Sequence, residues 1–291
     1  MRALRPTHWL KNVLVAAAPA LAHRLHEPEV ALQTALAFAA LSLVASGTYV
    51  VNDLLDRERD RQHPTKRHRP FASGALSPAF GRVLGPAFVA AGFGVGALLG
   101  VPFVGALALY VGATLAYSLR LKRIALVDVF LLAGLYALRV FAGGAATGIA
   151  VSAWLLAFSL FLFLGLAMLK RYAELRILER AEAEHLLGHE TGRGYAVGDA
   201  ALLRAIGPAV GFLAVLVITL YVNGATVGEL YARPDRLWLV APLLAFWTMH
   251  LWLMAHRGTM TDEPVAFAIR DRTSYVVAAL TGAVLVAASL P

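Results

Sequence analysis

Nine stretches of roughly twenty apolar residues run through this chain, and they constrain its fold more than any other feature. An α-helix rises about 1.5 Å per residue, so about 20 residues cross a hydrocarbon core of roughly 30 Å. The stretches lie near residues 9–25, 30–51, 80–98, 101–119, 124–147, 151–169, 203–223, 236–255 and 273–290. Apolar residues make up 59% of the chain and charged residues 15%, with a mean hydropathy of +0.67. A disordered chain is excluded and an ordinary soluble globule is disfavoured. The expected fold is an all-α integral membrane bundle of nine transmembrane helices, one polytopic domain over residues 1–291.

The first stretch also has the outline of a signal peptide. Arg2, Arg5 and Lys11 precede a short apolar run with an A-x-A pattern at Ala20–Ala22. Eight further spans, and the polar pair Lys11 and Asn12, argue that it stays in the working protein. The absence of cysteine excludes disulfide scaffolds, thiolate zinc sites and cysteine nucleophiles.

Charge alternates sharply between successive loops. Of the 26 Lys and Arg residues, 22 fall in the N-terminus and in segments 52–82, 120–123, 170–204 and 256–272. The opposite side holds only Arg24, Arg233 and Arg236, and Arg139 lies within a span. The positive-inside rule makes the basic side cytoplasmic, with the N-terminus inside and the C-terminus outside a bacterial plasma (inner) membrane. Topology explains the bases but not the acids, and fourteen of the 18 carboxylates share that side. Both signs together suggest a site. Nucleic acid is not an expected partner, because the bases are split over five short segments. A homo-oligomer is left open.

The most specific segment is Asn52-Asp53-Leu54-Leu55-Asp56-Arg57-Glu58-Arg59-Asp60. If the helix continues past the membrane edge, Asp53, Asp56 and Asp60 share one face with Asn52. Three carboxylates this close repel unless a cation neutralises them, and hard oxygen ligands suit Mg²⁺. The alternative is a solvated acidic helix end paired with Arg57, Arg59 and Arg61. Arg139, deep in an apolar stretch, is either a cation for a phosphate or a structural pair with another span. Lys11 and Asn12 are either an interfacial anchor beside Trp9 or the lining of a cytoplasmic cavity. His63 and His68 are acid–base candidates or plain loop residues. Zinc-protease, P-loop and nucleophile-elbow spacings are absent.

The pattern NDxxDxxxD after a second span resembles the UbiA-type membrane prenyltransferase superfamily. The segment Arg5-Pro6-Thr7-His8-Trp9-Leu10-Lys11-Asn12 resembles that family's entry. His63-Pro64-Thr65-Lys66-Arg67-His68-Arg69-Pro70 with Gly74, and Tyr117-Ser118 with Lys122, resemble its later motifs. Members acting on aromatic acceptors carry a second aspartate cluster after span six. Here the corresponding residues are Lys170-Arg171-Tyr172-Ala173-Glu174, with Asp262-Glu263-Pro264 and Ala268-Ile269-Arg270-Asp271-Arg272 further on. This looks like the decaprenyl-phosphate phosphoribosyltransferase branch.

The resemblance implies a cytoplasmic active-site cavity and a Mg²⁺-dependent transfer of 5-phosphoribose from phosphoribosyl pyrophosphate to a polyprenyl phosphate. Asn52, Asp53, Asp56 and Asp60 would organise Mg²⁺ on the diphosphate. Lys66, Arg69, Lys170 and Arg171 would bind donor phosphates, as would Tyr117, Lys122 and Arg270. Glu174 would complete the metal shell or orient a ribose hydroxyl. The rival expectations are transfer of a prenyl group from prenyl diphosphate to an aromatic or isoprenoid acceptor, and a transporter. Transport is disfavoured because the acids lie in loops and not at the bilayer midplane.

Overall fold

The computed structural model describes residues 2–62, 66–183, 193–224, 227–260 and 263–290. Among them every regular element is helical. A 3₁₀ turn, Arg2–Leu4, and a 3₁₀ run, Pro6–Ala16, lead into α1 (Ala17–Leu21), α2 (Pro28–Leu55) and α3 (Arg57–Gln62). After a 3₁₀ turn at Lys66–His68 come α4 (Pro78–Ala97) and α5 (Val101–Leu119). A further turn, Leu121–Arg123, precedes α6 (Val127–Thr147), α7 (Ala153–Ala183), α8 (Asp199–Val222) and α9 (Val227–Leu230). The chain ends with a 3₁₀ turn at Pro234–Leu239, then α10 (Val240–Arg257), α11 (Pro264–Ala268) and α12 (Arg272–Ser289).

Eight helical segments among the described residues are long and apolar enough to cross a membrane. They correspond to the second through ninth apolar stretches. The first stretch differs from the expected α-helix: it is mostly 3₁₀, with a five-residue α1. A 3₁₀ helix rises about 2.0 Å per residue, so Pro6–Leu21 extends roughly 30 Å despite its short length. Helix α7 also departs from expectation. It continues to Ala183, well past the apolar stretch, so Lys170, Arg171 and Glu174 stand on a helix and not in a loop. The added turns are rich in Ala, Leu, Glu and Arg, all strong helix formers. Arg171–Glu174 and Arg176–Glu179 pair at i,i+3 along them.

The chain forms two compact units: Met1–Leu121 with Leu138–Val151, and Lys122–Ala137 with Ser152–Pro291. In the first, α2 packs along α4 through small residues. A side chain added at Gly47 would meet the Gly85 carbonyl at 2.6 Å, and one at Gly92 the Val44 side chain at 2.5 Å. Such close approach maximises packing where lipid supplies no hydrophobic drive between helices. The 3₁₀ run lies against α2, with Trp9 Nε1 donating to Ser46 Oγ (2.9 Å) and Asn12 Nδ2 to Ser42 Oγ (3.1 Å).

The second unit repeats the device. Gly165 of α7 faces Gly211 of α8, and Gly207 and Gly211 receive Trp252 and Thr248 of α10. At the far end of this unit Val222, Val227, Tyr231, Leu237 and Ala288 form a small cluster, closed by Arg233 N–H donating to the Ala288 carbonyl at 2.9 Å. Outward-facing residues such as Val83 and Val101 are largely exposed, as lipid-facing side chains are.

Candidate active site

In the first unit, α2 stops at Leu55 and Asp56 caps it with φ −90° and ψ 2°, after which α3 begins. This bend sets the acidic segment. Asp53 and Asp60 are buried, at 2% and 4% exposure, whereas Asp56 is half-buried. Asp53 and Asp60 are thus brought into one buried network, with Asp56 at the junction of α2 and α3. Among the described residues no three acidic side chains are arranged to hold a metal. The shared face required an unbroken helix, and the cap at Asp56 interrupts it.

The two buried carboxylates are joined by arginine. Arg69 Nη1 donates to Asp60 Oδ2 at 2.7 Å and to Asp53 Oδ1 at 3.2 Å. Arg5 Nη2 donates to the same Asp53 oxygen at 2.6 Å. Arg5 holds a left-handed backbone (φ 48°, ψ 60°) immediately before Pro6. A residue before proline is steered away from the right-handed helix, and the ion pair holds the strained alternative. Its guanidinium also lies 5.4 Å from the Tyr49 ring centre.

Arg69 is delivered by a loop that is itself anchored. Phe71 is buried with Ala3 and Val50, and Arg61 Nε donates to the Ala72 carbonyl at 3.2 Å. Ser77 then caps α4, accepting from Phe80 N–H at 3.2 Å. A Mg²⁺ ion fits this donor set chemically. Asp53 and Asp60 offer hard carboxylate oxygens held close to one another through the shared Arg69 nitrogen.

The second unit carries its own polar network. Asp128 is fully buried. It accepts from Arg171 Nε and, at 2.7 Å, from the Tyr195 hydroxyl. Arg171, 1% exposed, also donates to Glu174, and Arg193 lies 4.0 Å from Glu174. The Tyr195 hydroxyl accepts from Leu126 N–H at 2.8 Å, and burial with the Asp128 bond pushes its phenol pKa upward. Lys170 pairs with Glu263. Arg171 and Glu174 are thus brought together around Asp128, while Lys170 on the same helix pairs with Glu263.

Arg139, 5% exposed, belongs to the first unit. Its Nε donates to Asn12 Oδ1 (3.0 Å), its Nη2 to the Tyr110 hydroxyl (3.0 Å), and it stacks 4.9 Å from the Tyr110 ring centre. Asn12 therefore lies inside the protein and is no interfacial anchor, while Lys11 is half-buried. Asn52 and Tyr117 are half-buried on α2 and α5, Lys122 sits in the Leu121–Arg123 turn, and Arg270 is exposed. His68 is exposed, within 3.4 Å of Arg67 Nε. His63 and Asp262, and the Lys66 side chain, lie outside the described residues. Sequence reasoning missed Arg5 and Tyr195. The Arg5-Pro6 pair at the head of the entry segment was a usable signal; nothing in the sequence marked Tyr195.

Comparison with known proteins agrees with this architecture. The pattern of the UbiA prenyltransferase family matches residues 13–187. The chain is 37% identical to an uncharacterized protein, y4nM, of Sinorhizobium fredii, over 98% of this chain and 55% of that one. It therefore spans only about half of that relative. It is 37% identical to nodulation protein NoeC of Azorhizobium caulinodans, over 94% of this chain and 88% of that one. A decaprenyl-phosphate phosphoribosyltransferase of Mycobacterium tuberculosis is 40% identical, over 63% of this chain and 62% of its own. A UbiA homologue from Archaeoglobus fulgidus, solved bound to GPP and Mg²⁺, superposes with a TM-score of 0.68 over 98% of each chain. At 18% identity that likeness establishes the fold alone. The chain belongs to the UbiA prenyltransferase family and is a multi-pass membrane enzyme of that fold.

Proposed function

We propose that this enzyme transfers 5-phosphoribose from phosphoribosyl pyrophosphate to a polyprenyl phosphate, releasing pyrophosphate. The observation that carries the proposal is the mixed composition of the first unit's site. Two buried carboxylates, Asp53 and Asp60, share one network with the guanidiniums of Arg5 and Arg69. Such a site offers hard oxygens to a divalent cation and forked donors to phosphate oxygens. The similarity to a decaprenyl-phosphate phosphoribosyltransferase over 63% of the chain supports the same substrates.

Asp53 and Asp60, the two carboxylates that share Arg69, would hold Mg²⁺ first, with Asp56 and Asn52 nearby in sequence to complete its shell; bound there, it would neutralise charge on the departing pyrophosphate. Arg69 and Arg5 bind donor phosphate oxygens, and Lys66 is assigned to the same task. The acceptor phosphate is already anionic and needs no general base. Its oxygen forms a bond to the anomeric carbon on the face opposite the leaving group. The old bond breaks with its electron pair going to pyrophosphate, and the configuration at that carbon inverts. We place the N-terminus and this site on the cytoplasmic side of a bacterial plasma membrane, where the basic segments would lie.

A second donor is favoured by the family's membership, namely prenyl diphosphate with an aromatic acceptor. Residues 170–174 weigh against it, since they offer one carboxylate and two bases where a second metal cluster would be needed. The test is product analysis by mass spectrometry on purified protein with Mg²⁺. One reaction receives phosphoribosyl pyrophosphate and polyprenyl phosphate, the other prenyl diphosphate and an aromatic acid. A phosphoribosylated lipid in the first is the expected product. A prenylated acid in the second, with none in the first, overturns the proposal.

A further inference from the structure

The end of α2 and the start of α4 flank a groove of about 420 Å³ whose lining contains none of Asp53, Asp56 or Asp60. Its walls include Val51, Leu54 and Leu55 on one side and Pro86 on the other, and it also holds Arg57 and Arg82. The volume falls in the range of about 300–1,000 Å³ usual for small-molecule sites. The two arginines are under-used. Arg57 Nε is buried with no hydrogen-bond partner, and Glu58 Oε1 lies 3.9 Å from it, beyond hydrogen-bond reach. Arg82 is exposed and makes no ion pair among the described residues.

The surroundings narrow the occupant. Leu55, Phe80 and Val83 are 54%, 50% and 70% exposed, so the outer face beside the groove is apolar. Soluble phosphate would satisfy the guanidiniums and leave the groove's own apolar wall of Val51, Leu54, Leu55 and Pro86 unfilled. A neutral lipid would cover the face and leave Arg57 Nε unpaired, at the cost a buried donor incurs. Only an anionic amphiphile answers both demands. Basic pockets between membrane helices recognise headgroups on this principle, and the arginine stems can lie along apolar surface while their heads meet phosphate.

We propose that this groove is a docking site for a lipid with a terminal phosphate. Its chain lies along Val51, Leu55 and Pro86, and its phosphate accepts hydrogen bonds from Arg57 and Arg82. Such a lipid would dock here whether or not phosphoribosyl transfer is the reaction catalysed.

The test is native mass spectrometry of the full chain in detergent, titrated with phosphatidic acid, with phosphatidylcholine, or with inorganic phosphate as competitor. Phosphatidic acid is expected to bind in preference to phosphatidylcholine. Arg57→Gln and Arg82→Gln are each expected to weaken it about fivefold, the effect of one base near a lipid phosphate. Arg120→Gln, a base outside the groove, is expected to leave it unchanged. Arg82 makes no ion pair among the described residues, so its variant keeps the test valid should Arg57→Gln misfold. Equal binding of both lipids, displacement of phosphatidic acid by equimolar inorganic phosphate, or full retention in a folded Arg82→Gln protein would each overturn the proposal.

Discussion

Arg69 Nη1 stands 2.7 Å from Asp60 Oδ2, and the same nitrogen reaches Asp53 Oδ1 at 3.2 Å. One guanidinium nitrogen thus serves two buried carboxylates nine and sixteen residues before it. Replacing Arg69 with Met takes the ion pair from Asp60 and leaves Asp53 with Arg5 alone. Losing one partner of a buried pair costs about 3–5 kcal/mol, and partial exposure of Arg69 reduces the expected loss to roughly 2 kcal/mol. Thermal melts in detergent measure this, and adding Asp60→Asn to Arg69→Met should recover part of the loss. An unchanged melting temperature in Arg69→Met would contradict the network.

Asp53 and Glu58 contrast a buried carboxylate with a surface one. Asp53 is buried against two arginines, whereas the Glu58 side chain is 72% exposed. Asp53→Asn is expected to lower transfer from phosphoribosyl pyrophosphate by about 10²–10³, typical of losing one strong electrostatic contact to the transition state. Glu58→Gln is expected to act within about twofold, as surface substitutions do. Comparable rates for the two variants, in folded protein, would remove the acidic site from the chemistry.

Tyr195 ties the chain before α8 to the start of α6. Its hydroxyl gives to Asp128 and takes from Leu126 N–H. Tyr195→Phe leaves a fully buried carboxylate short of a donor, and about 1–3 kcal/mol of stability is expected to go with it. Gly194→Ala should be worse. Gly194 has φ +72°, and an added Cβ would sit 2.3 Å from the Arg123 carbonyl. Equilibrium unfolding of both variants, ranked against the parent, checks the order.

Asp271 caps α12 and faces His250. Burial alone would push its carboxyl up, but hydrogen bonds from the Ser274 hydroxyl and N–H, with His250 beside it, hold it below the ordinary value. A depressed carboxylate stabilises the fold above its unfolded pKa, and that contribution fades as pH falls through the folded pKa. Asp271→Ala is therefore expected to cost about 1 kcal/mol at neutral pH, and the gap should close below about pH 4. A gap constant from neutral to acid pH would show that the charge contributes nothing.

Much of this was legible before any coordinates. Eight of the nine apolar stretches appear as long helices, seven of them within a few residues and α7 running well past its stretch, because run length and hydropathy are properties of a segment alone. The 3₁₀ geometry of Pro6–Ala16 was not legible, since apolar content does not distinguish rise per residue. The acidic motif was legible as a motif, but not its geometry. A pattern of i, i+3 and i+7 assumes one continuous helix, and Asp56 ends α2. The pairing of Arg171 with Asp128, 43 residues away, was invisible to spacing.

The amino-acid order alone determined a membrane bundle, its charge asymmetry and the family that its acidic segment marks. Each of these rests on local runs and short-range periodicity. The fold decided which charges neutralise which. Arg5 reaches Asp53 across 48 residues, and Tyr195 reaches Asp128 across 67. A buried carboxylate must be paired or lose its charge, and its partner is whichever donor the packed backbone brings within hydrogen-bond distance.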